Sequence, residues 1–162
     1  MTESENSVSI APLAFNEEYA VPHEMSVKEI KEFQDAFRLG AQRALAAVFE
    51  WLELHAAHGY LMHSFYSPLS NQRTDEYGSS FENRIRFLLE TVRAIRPVWP
   101  DQLPLTVRIS GIDWQTGGWT VDESIKLALS ENRRCGSDRL LIRRRGSAGQ
   151  GSRCSRLPDF HF

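Results

Sequence analysis

The segment HAAHGYL, residues 55–61, brings together three side chains that can handle protons. His55 and His58 are three residues apart, and Tyr60 follows the second histidine after one glycine. Imidazole N–H groups can hold an oxygen on which negative charge develops, and a phenol can donate a proton. The histidines could instead be metal ligands, or could only satisfy backbone groups of a loop.

A metal site is the first alternative to consider. The two histidines lack the i, i+4 spacing of helical zinc motifs, and no glutamate lies between them. A catalytic zinc site needs three protein ligands, so His63 or His23 would have to complete it. The spacing therefore does not favour a metal, and none is expected.

Hydride chemistry on an activated alkene makes fuller use of these residue types. It needs hydrogen-bond donors at the carbonyl oxygen, an acid for the α-carbon and a hydride donor for the β-carbon. His55 and His58 suit the first task and Tyr60 suits the second. Arg108, whose charge is permanent, could stabilise an anionic reduced flavin. The residue types alone do not select this reaction over other enolate chemistry.

Three helices are predicted around this segment. Each begins with a capping box, in which a serine or threonine is followed three residues later by a glutamate. The boxes are Ser26 with Glu29 (helix 27–46), Ser79 with Glu82 (a helix ending before Pro97) and Thr120 with Glu123 (a helix through Leu129).

Two β-rich segments, FEWLEL at 49–54 and PLTVRI at 104–109, are predicted strands. Strands that alternate with helices indicate a parallel sheet with right-handed crossovers. Ligand-binding groups gather at the carboxyl ends of such strands. Because His55 follows the first strand and Arg108 lies near the end of the second, we expect one site there. The polar stretch 55–79 is predicted to be a long functional loop.

Composition narrows the setting. The formal net charge is -2, and no apolar run approaches the ~20 residues that span a bilayer. The first ten residues are polar and acidic, unlike a secretory signal. Two scattered cysteines, Cys135 and Cys154, indicate a reducing compartment. A cytoplasmic location without membrane contact is expected.

The wider sequence resembles a known family. HAAHGYLMHSFYSPLSNQRTDEYGSSFENRIRF, followed by PLTVRISGIDWQTGGWT, is similar to the old yellow enzyme family of FMN-dependent ene-reductases. The resemblance extends from about Ala11 to about Leu129 and implies an α/β fold, the eight-stranded (β/α) barrel.

The resemblance implies roles for the four residues at the predicted site. His55 and His58 would bind the activating group of the substrate, and Tyr60 would donate the proton. Arg108 would contact the flavin ring, with His55 also beside the cofactor. NADPH or NADH would reduce FMN, and a small electron-poor alkene or a quinone would reoxidise it. Four residues of the family's signature loop are interpreted as loop architecture: Asn71, Arg73, Asp75 and Tyr77.

The chain is short for a complete barrel of this type, which takes ~250 residues. The matched part resembles strands four and five with their flanking helices, so we expect a partial (β/α)8 TIM barrel that is not closed. The predicted organisation is a disordered N-terminus (1–10), a partial flavin oxidoreductase segment (11–130) and an Arg-rich non-homologous tail (131–162). No Gly-rich phosphate loop opens a helix.

The tail differs sharply in composition from the rest. Residues 131–162 carry eight arginines against three acidic residues. A shifted reading frame through a GC-rich gene is the preferred interpretation, and a basic nucleic-acid-binding tail is the alternative. Composition alone predicts disorder there, so nucleic acid is not an expected partner.

Two positions depart from the family pattern. Val48 stands where the family has a glycine after a helix, a position that often needs positive φ. Ser79 replaces a second glycine in YGSS. Both changes fit a copy of the family sequence that is under relaxed selection or has decayed.

The unclosed edges of a partial barrel also predict that the chain is marginally stable and self-associates. The alternative to an FMN-dependent oxidoreductase is a catalytically inactive fragment or pseudogene product with at most an interaction role.

Overall fold

The computed structural model describes residues 8–11, 22–132 and 140–144. Its helices are α1 (Val27–Ala46), α2 (Leu61–Tyr66), α3 (Phe81–Arg84), α4 (Arg86–Ile95) and α5 (Val121–Asn132), with a short 3-10 helix at Arg96–Val98. Its strands are β1 (Val8–Ser9), β2 (His23–Glu24), β3 (Leu52–Ala56), β4 (Leu105–Ile109) and β5 (Leu140–Arg144).

Strands β3, β4 and β5 form one parallel sheet in that order, and β1 pairs with β2 separately. Leu52 lies opposite Leu105 and Ala56 opposite Ile109, so β3 and β4 end at the same edge. Helices lie between β2 and β3, between β3 and β4, and between β4 and β5, as predicted for βα units. Within the described ranges the sheet has two open sides, at β3 and at β5. The fold is therefore α/β, a partial barrel that is not closed.

The two faces of the sheet differ in chemistry because successive side chains of a strand point to opposite sides. One face belongs to the hydrophobic core and consists of Leu54, Ala56, Leu105, Val107 and Ile109. The other carries Glu53, His55, Thr106 and Arg108. A closed barrel would turn this polar face inward.

Aromatic side chains fill the core between the sheet and the helices. Phe65 and Phe87 stack at 4.3 Å between ring centroids, and Tyr66 lies 4.4 Å from Trp119. Phe65, Tyr66 and Phe87 are fully buried. Burial of one such side chain stabilises the fold by about 1.5–3 kcal/mol. Helix α2, whose N-cap residue is Tyr60, is thus anchored by two aromatic residues at its C-terminal end.

Helix α1 has the predicted bounds. Its capping box is formed: the Glu29 N–H donates to Ser26 Oγ at 3.2 Å, and the Ser26 N–H donates to the Glu29 carboxylate at 2.8 Å. The first predicted strand, 49–54, was placed too early, since β3 begins at Leu52. The C-terminal end of α1 explains the difference. The Phe49 N–H donates to Ala44 O, so this residue completes the helix end instead of opening a strand.

The second predicted capping box was wrong. Ser80, not Ser79, caps α3, because the Asn83 N–H donates to Ser80 Oγ at 3.2 Å. Ser79 has φ 66°, a left-handed conformation that differs from the extended one of an N-cap residue. The third box, at Thr120 and Glu123, is formed as predicted.

The stretch 55–79, predicted to be a loop, contains helix α2. The helix was not predicted because turn-forming residues surround it. The part that remains a loop is held by the signature residues. Asn71 Nδ2 donates to the carbonyl oxygens of Phe65 and Tyr77, and the Arg73 guanidinium pairs with the Asp75 carboxylate. Arg73 Nη1 also donates to Met25 O at 2.7 Å, and the Tyr77 hydroxyl donates to the Glu90 carboxylate at 2.8 Å, so these residues connect the loop to neighbouring segments.

The ends of the chain differ in part from the predicted organisation. Val8–Ser9 forms β1 and Ile10 is buried, because both join the packing around β2 and the signature loop. Strand β5 lies within the segment predicted to be a tail, where it pairs with β4 from Leu105 to Ile109. The two cysteines and most of the arginine-rich stretch lie outside the described residues.

Candidate active site at the carboxyl edge of the sheet

His55 and Arg108 are neighbours on the polar face of the sheet. They are register partners in the parallel pair β3–β4, each one residue before its strand ends. Glu53, two residues earlier on the same face, pairs with Arg108 Nε at 2.9 Å. The strands therefore fix one imidazole and one guanidinium side by side at the edge where the chain then turns.

A tight turn follows β3 and carries the second histidine. The Tyr60 N–H donates to Ala57 O at 3.2 Å, and the two central residues, His58 and Gly59, have φ 62° and 78°. Positive φ at both central residues is typical of a type I′ turn. Glycine adopts this conformation without strain, and histidine is enriched among the other residues that do. The HG pair in HAAHGYL thus reflects backbone geometry as well as chemistry.

The turn brings three rings together. The His55 ring centroid lies 5.0 Å from that of His58 and 5.4 Å from that of Tyr60. Tyr60 is the N-cap residue of α2 and is 65% exposed. His55, His58, Tyr60 and Arg108 therefore converge at one edge, which places all four residues predicted for the site together.

The surroundings of His55 disfavour its charged form. Burial lowers the pKa of the imidazole below its ordinary value, and the nearby His58 and Arg108 lower it further. The Glu53 carboxylate acts in the opposite direction but does not reverse the shift. At neutral pH His55 is therefore an uncharged group that presents one N–H donor.

A buried tyrosine ties the ends of the two strands together, which sequence reasoning missed. The Tyr66 hydroxyl donates to Ala56 O at 2.8 Å and accepts from the Ser110 N–H at 3.0 Å. Burial raises the pKa of Tyr66, so its hydroxyl stays protonated. Ser110 Oγ in turn accepts from the His58 N–H at 3.0 Å. The position of Ser110 directly after a strand was the signal available in the sequence.

The two histidines considered as further metal ligands have other partners. His63 Nε2 lies 2.7 Å from the Asp113 carboxylate, and His23 Nε2 lies 2.9 Å from Glu29. Among residues 8–11, 22–132 and 140–144, no three or more His, Cys, Asp or Glu side chains are arranged to hold a metal ion.

The polar edge fits one part of a flavin. Arg108 presents guanidinium donors whose Nη groups have no hydrogen-bond partner within the part of the chain described, and neutral His55 lies next to it. A planar ring with carbonyl oxygens along one side could accept from both. The described residues offer no glycine-rich helix start for a phosphate. The residues present thus fit contacts to the ring and not to the phosphate tail.

Comparison with known proteins identifies the family of the chain. The model of the NADH:flavin oxidoreductase / NADH oxidase family matches residues 2–138. The chain belongs to this family. The resemblance to the old yellow enzymes is thereby confirmed, and the predicted cofactors, FMN with NADH or NADPH as reductant, are those of the family.

Several curated relatives are close in sequence. An NADPH dehydrogenase of Bacillus velezensis is 51% identical over 116 residues, which are 72% of this chain and 34% of the relative. The NADPH dehydrogenase of Bacillus subtilis is 48% identical over the same shares. An NADH:flavin oxidoreductase of Gibberella zeae is 45% identical over 132 residues, 74% of this chain and 32% of the relative. The chain spans about a third of the length of these proteins.

Solved structures share the fold. A 2-naphthoyl-CoA reductase in complex with 2-naphthoyl-CoA gives a TM-score of 0.76 at 31% identity, covering 86% of this chain and 21% of that one. A morphinone reductase variant in complex with tetrahydroNAD gives a TM-score of 0.71 at 28% identity, covering 83% and 42%. None of the helices in the described residues is long and apolar enough to cross a membrane.

Proposed function

We propose that the carboxyl ends of β3 and β4 form the substrate side of an FMN-dependent oxidoreductase of the old yellow enzyme type. It would move hydride from NADH or NADPH to an electron-poor alkene or a quinone. The observation that carries the proposal is the convergence of His55, His58, Tyr60 and Arg108 at one sheet edge. The names of the bacterial relatives support the choice of reductant.

The reaction balances as one hydride and one proton added across a double bond. When bound, the flavin supplies the two-electron step, in which a hydride taken from NAD(P)H is delivered to the β-carbon. The α-carbon takes the proton, so NAD(P)H, a proton and the alkene give NAD(P)+ and the saturated product.

His55 and His58 would hold the carbonyl or nitro oxygen of the substrate. Their ring centroids are 5.0 Å apart, a separation at which one substrate oxygen could accept from both rings. His55 remains neutral because its pKa is lowered. The ring therefore donates one N–H to the substrate oxygen and has little tendency to take up the proton that the α-carbon requires. Fixed donors of this kind stabilise negative charge that develops on oxygen.

Tyr60 would donate the proton to the α-carbon. Its ring lies 5.4 Å from that of His55, and its hydroxyl has no hydrogen-bond partner among the described residues. The side chain is exposed, so solvent can return the proton after turnover. Tyr60 is the N-cap residue of α2, so the start of that helix fixes its backbone.

Arg108 would lie beside the flavin ring. Glu53 holds its Nε, which leaves the Nη groups to face a bound ring. A permanent positive charge there stabilises added electron density on the ring.

The setting proposed for this activity is the cytoplasm, with a small molecule as substrate. The open sides of the sheet at β3 and β5 are the surfaces through which copies of the chain would associate. The second candidate is a catalytically inactive segment with at most an interaction role. The open sides of the sheet among the described residues favour it, because unpaired strand edges can bind another chain.

A titration of the purified chain with FMN, followed by absorbance, tests the proposal. A perturbed flavin band with micromolar or tighter binding supports it, and Arg108→Gln should weaken that binding several-fold. Arg38→Gln is the matched control, because Arg38 lies on α1 and is bonded to Asp35. No perturbation with the wild-type chain would favour the inactive alternative.

If FMN binds, flavin reduction by NADPH and flavin reoxidation by an enone can be measured separately. The comparison distinguishes the roles of Tyr60 and His55. Tyr60→Phe should slow reoxidation by an enone and leave reduction by NADPH nearly unchanged. Equal loss in both halves would remove Tyr60 from the proton-donor role. His55→Ala should weaken the binding of a phenol at the same edge, and unchanged affinity would count against the oxygen-binding role.

A further inference from the structure

A chain of hydrogen bonds connects the loop after β3 with the loop after β4. The Gly59 N–H donates to His63 Nδ1 at 2.7 Å, and His63 Nε2 lies 2.7 Å from Asp113 Oδ1. Gly59 belongs to the turn that carries His58 and Tyr60, His63 lies on α2, and Asp113 follows β4. These contacts are distinct from those of the four residues assigned to chemistry.

The geometry selects one tautomer of His63. Because Nδ1 accepts from an amide, it carries no proton, so the ring proton is on Nε2 and is donated to the Asp113 carboxylate. Both side chains are well buried, His63 being 12% and Asp113 6% exposed. The Gly59 N–H thus donates to His63 Nδ1, and His63 Nε2–H donates to the Asp113 carboxylate. These two hydrogen bonds connect the turn after β3 with the loop after β4.

Asp113 is itself held firmly. Its second oxygen accepts from Ser67 Oγ at 2.6 Å and from the Trp119 N–H at 2.7 Å. The Asp113 N–H also donates to Trp119 O at 3.0 Å. The carboxylate thus has little freedom to rotate, and it fixes the plane of the imidazole that it binds.

The central residues of the turn have few other restraints. Its own closing bond is the Tyr60 N–H to Ala57 O contact at 3.2 Å, and its central residues both have positive φ. The amides of those two residues are held from outside, His58 N–H by Ser110 and Gly59 N–H by His63. Without an acceptor for Gly59, the outside contacts that remain are the Ser110 bond to the His58 N–H and the Ser64 N–H bond to Tyr60 O at 2.9 Å, so neither central peptide after His58 would be held directly.

We propose that His63, oriented by Asp113, is a positioning residue that holds the turn 57–60 and so sets where His58 and Tyr60 meet a substrate. His63 touches neither the substrate nor the reacting atoms in this assignment. The consequence for ligand binding rests on the proposed function, whereas the tautomer and the hold on Gly59 do not.

Two substitutions distinguish the contributions of the two ring nitrogens of His63, because each keeps one hydrogen bond and removes the other. In His63→Asn the amide oxygen takes the place of Nδ1, so the Gly59 N–H keeps an acceptor and the link to Asp113 is lost. In His63→Gln a donor reaches toward Asp113, but the Nδ1 acceptor is lost. His23→Asn and His23→Gln are matched controls, because His23 is bonded to Glu29 at the start of α1.

Nuclear magnetic resonance on the 15N-labelled chain provides the readout. We expect wild-type His63 in the Nε2–H form, with a scalar coupling between Gly59 N and His63 Nδ1 across the hydrogen bond. Amide exchange at Gly59 should rise about tenfold in His63→Gln and only slightly in His63→Asn. The His23 variants should leave it unchanged.

Binding of a phenol, observed through the His55 and His58 ring signals, completes the test. It should weaken in His63→Gln and be largely kept in His63→Asn. An Nδ1–H tautomer in the wild-type chain, or equal Gly59 exchange in the two variants, would overturn the proposal. If both variants fail to fold, the wild-type tautomer and coupling still decide it. The expected Gly59 behaviour without any phenol binding would refute the proposed function and leave the positioning role standing.

Discussion

His55 and Arg108 lie directly opposite each other in the parallel pair β3–β4, and Glu53 pairs with Arg108 from the same face. An imidazole, a guanidinium and a carboxylate thus share the polar face of two adjacent strands. Their charges act on one another through a partly buried layer, where screening by water is reduced. The protonation of His55 is the property of the site that responds most directly to this arrangement.

The titration of His55 should report its neighbours individually. Burial is the main cause of its lowered pKa, with His58 next and Arg108 after it. His58→Ala should therefore raise the pKa of His55, and Arg108→Gln should raise it less. Glu53→Gln should lower it, because the carboxylate stabilises the charged form. Histidine ring signals followed by NMR against pH measure all three, and an upward shift in Glu53→Gln would contradict the assignment.

The same shift predicts how stability depends on pH. Because the folded pKa of His55 is below the unfolded value of 6.5, the unfolded chain binds the proton more readily. The free energy of unfolding should therefore fall as the pH drops through about 6.5 toward the folded pKa. Urea unfolding of the wild type and His55→Gln checks this, since the variant should lose part of the dependence. An identical pH dependence in both would assign it to other groups.

Local sequence signals predicted much of this site. Helix α1 was predicted with its observed bounds because a capping box and a long amphipathic stripe agree over 27–46. That His55 and Arg108 lie at one edge was predicted from two β-rich segments and the rule that parallel strands end together, although His55 lies inside β3 and not after it. The convergence of Tyr60 with them depends on a turn within six residues, which local sequence also determines.

Contacts between distant residues were not predictable in this way. The bond from His63 to Asp113 joins residues 50 positions apart, and Tyr66 meets Ser110 across 44. No periodicity encodes such pairs, because they exist only once the loops after β3 and β4 are packed together. Helix α2 was missed for a related reason. It is six residues long, and its C-terminal end is held by the buried Phe65 and Tyr66 more than by helix propensity.

Two glycines should respond to alanine in opposite directions. Gly40 lies inside α1, where an added Cβ would make only an ordinary contact with Arg43 Nη2 at 3.9 Å. Gly40→Ala should therefore raise the free energy of unfolding by about 0.5–1 kcal/mol. A Cβ at Gly78 would meet the backbone of Arg73, so Gly78→Ala should destabilise the signature loop strongly. Chemical unfolding of both variants measures the difference. A stable Gly78→Ala protein would mean that the loop backbone can shift away from Arg73.

The Tyr66 hydroxyl should contribute measurably to stability. Tyr66→Phe keeps the packing of the ring against Trp119 and leaves Ala56 O and the Ser110 N–H without this partner. Buried groups left unsatisfied cost about 1–3 kcal/mol, which is the loss expected in the free energy of unfolding. Tyr60→Phe is the matched control, because its hydroxyl is exposed and should matter little to stability. Equal losses in the two variants would contradict the proposed tie between the strand ends.

The end of α1 offers a site where one substitution should stabilise the chain. The Val48 N–H donates to Leu45 O and the Phe49 N–H to Ala44 O, the two bonds of a Schellman motif. Val48 therefore occupies the C′ position, and its φ of 63° is left-handed. A β-branched residue resists this conformation, at a cost of roughly 1–2 kcal/mol. Its side chain is 81% exposed, so little packing offsets the strain.

Val48→Gly should relieve that strain at the expense of some added freedom in the unfolded chain, about 0.5–1 kcal/mol. The net expectation is a free energy of unfolding higher by about 0.5–1 kcal/mol. Ala36→Gly is the matched control, since Ala36 is exposed within the same helix and should lose about as much as Val48→Gly gains. Chemical unfolding of the two variants and the wild type gives the comparison. Destabilisation by Val48→Gly would show that the valine has a packing partner that the exposed position does not account for.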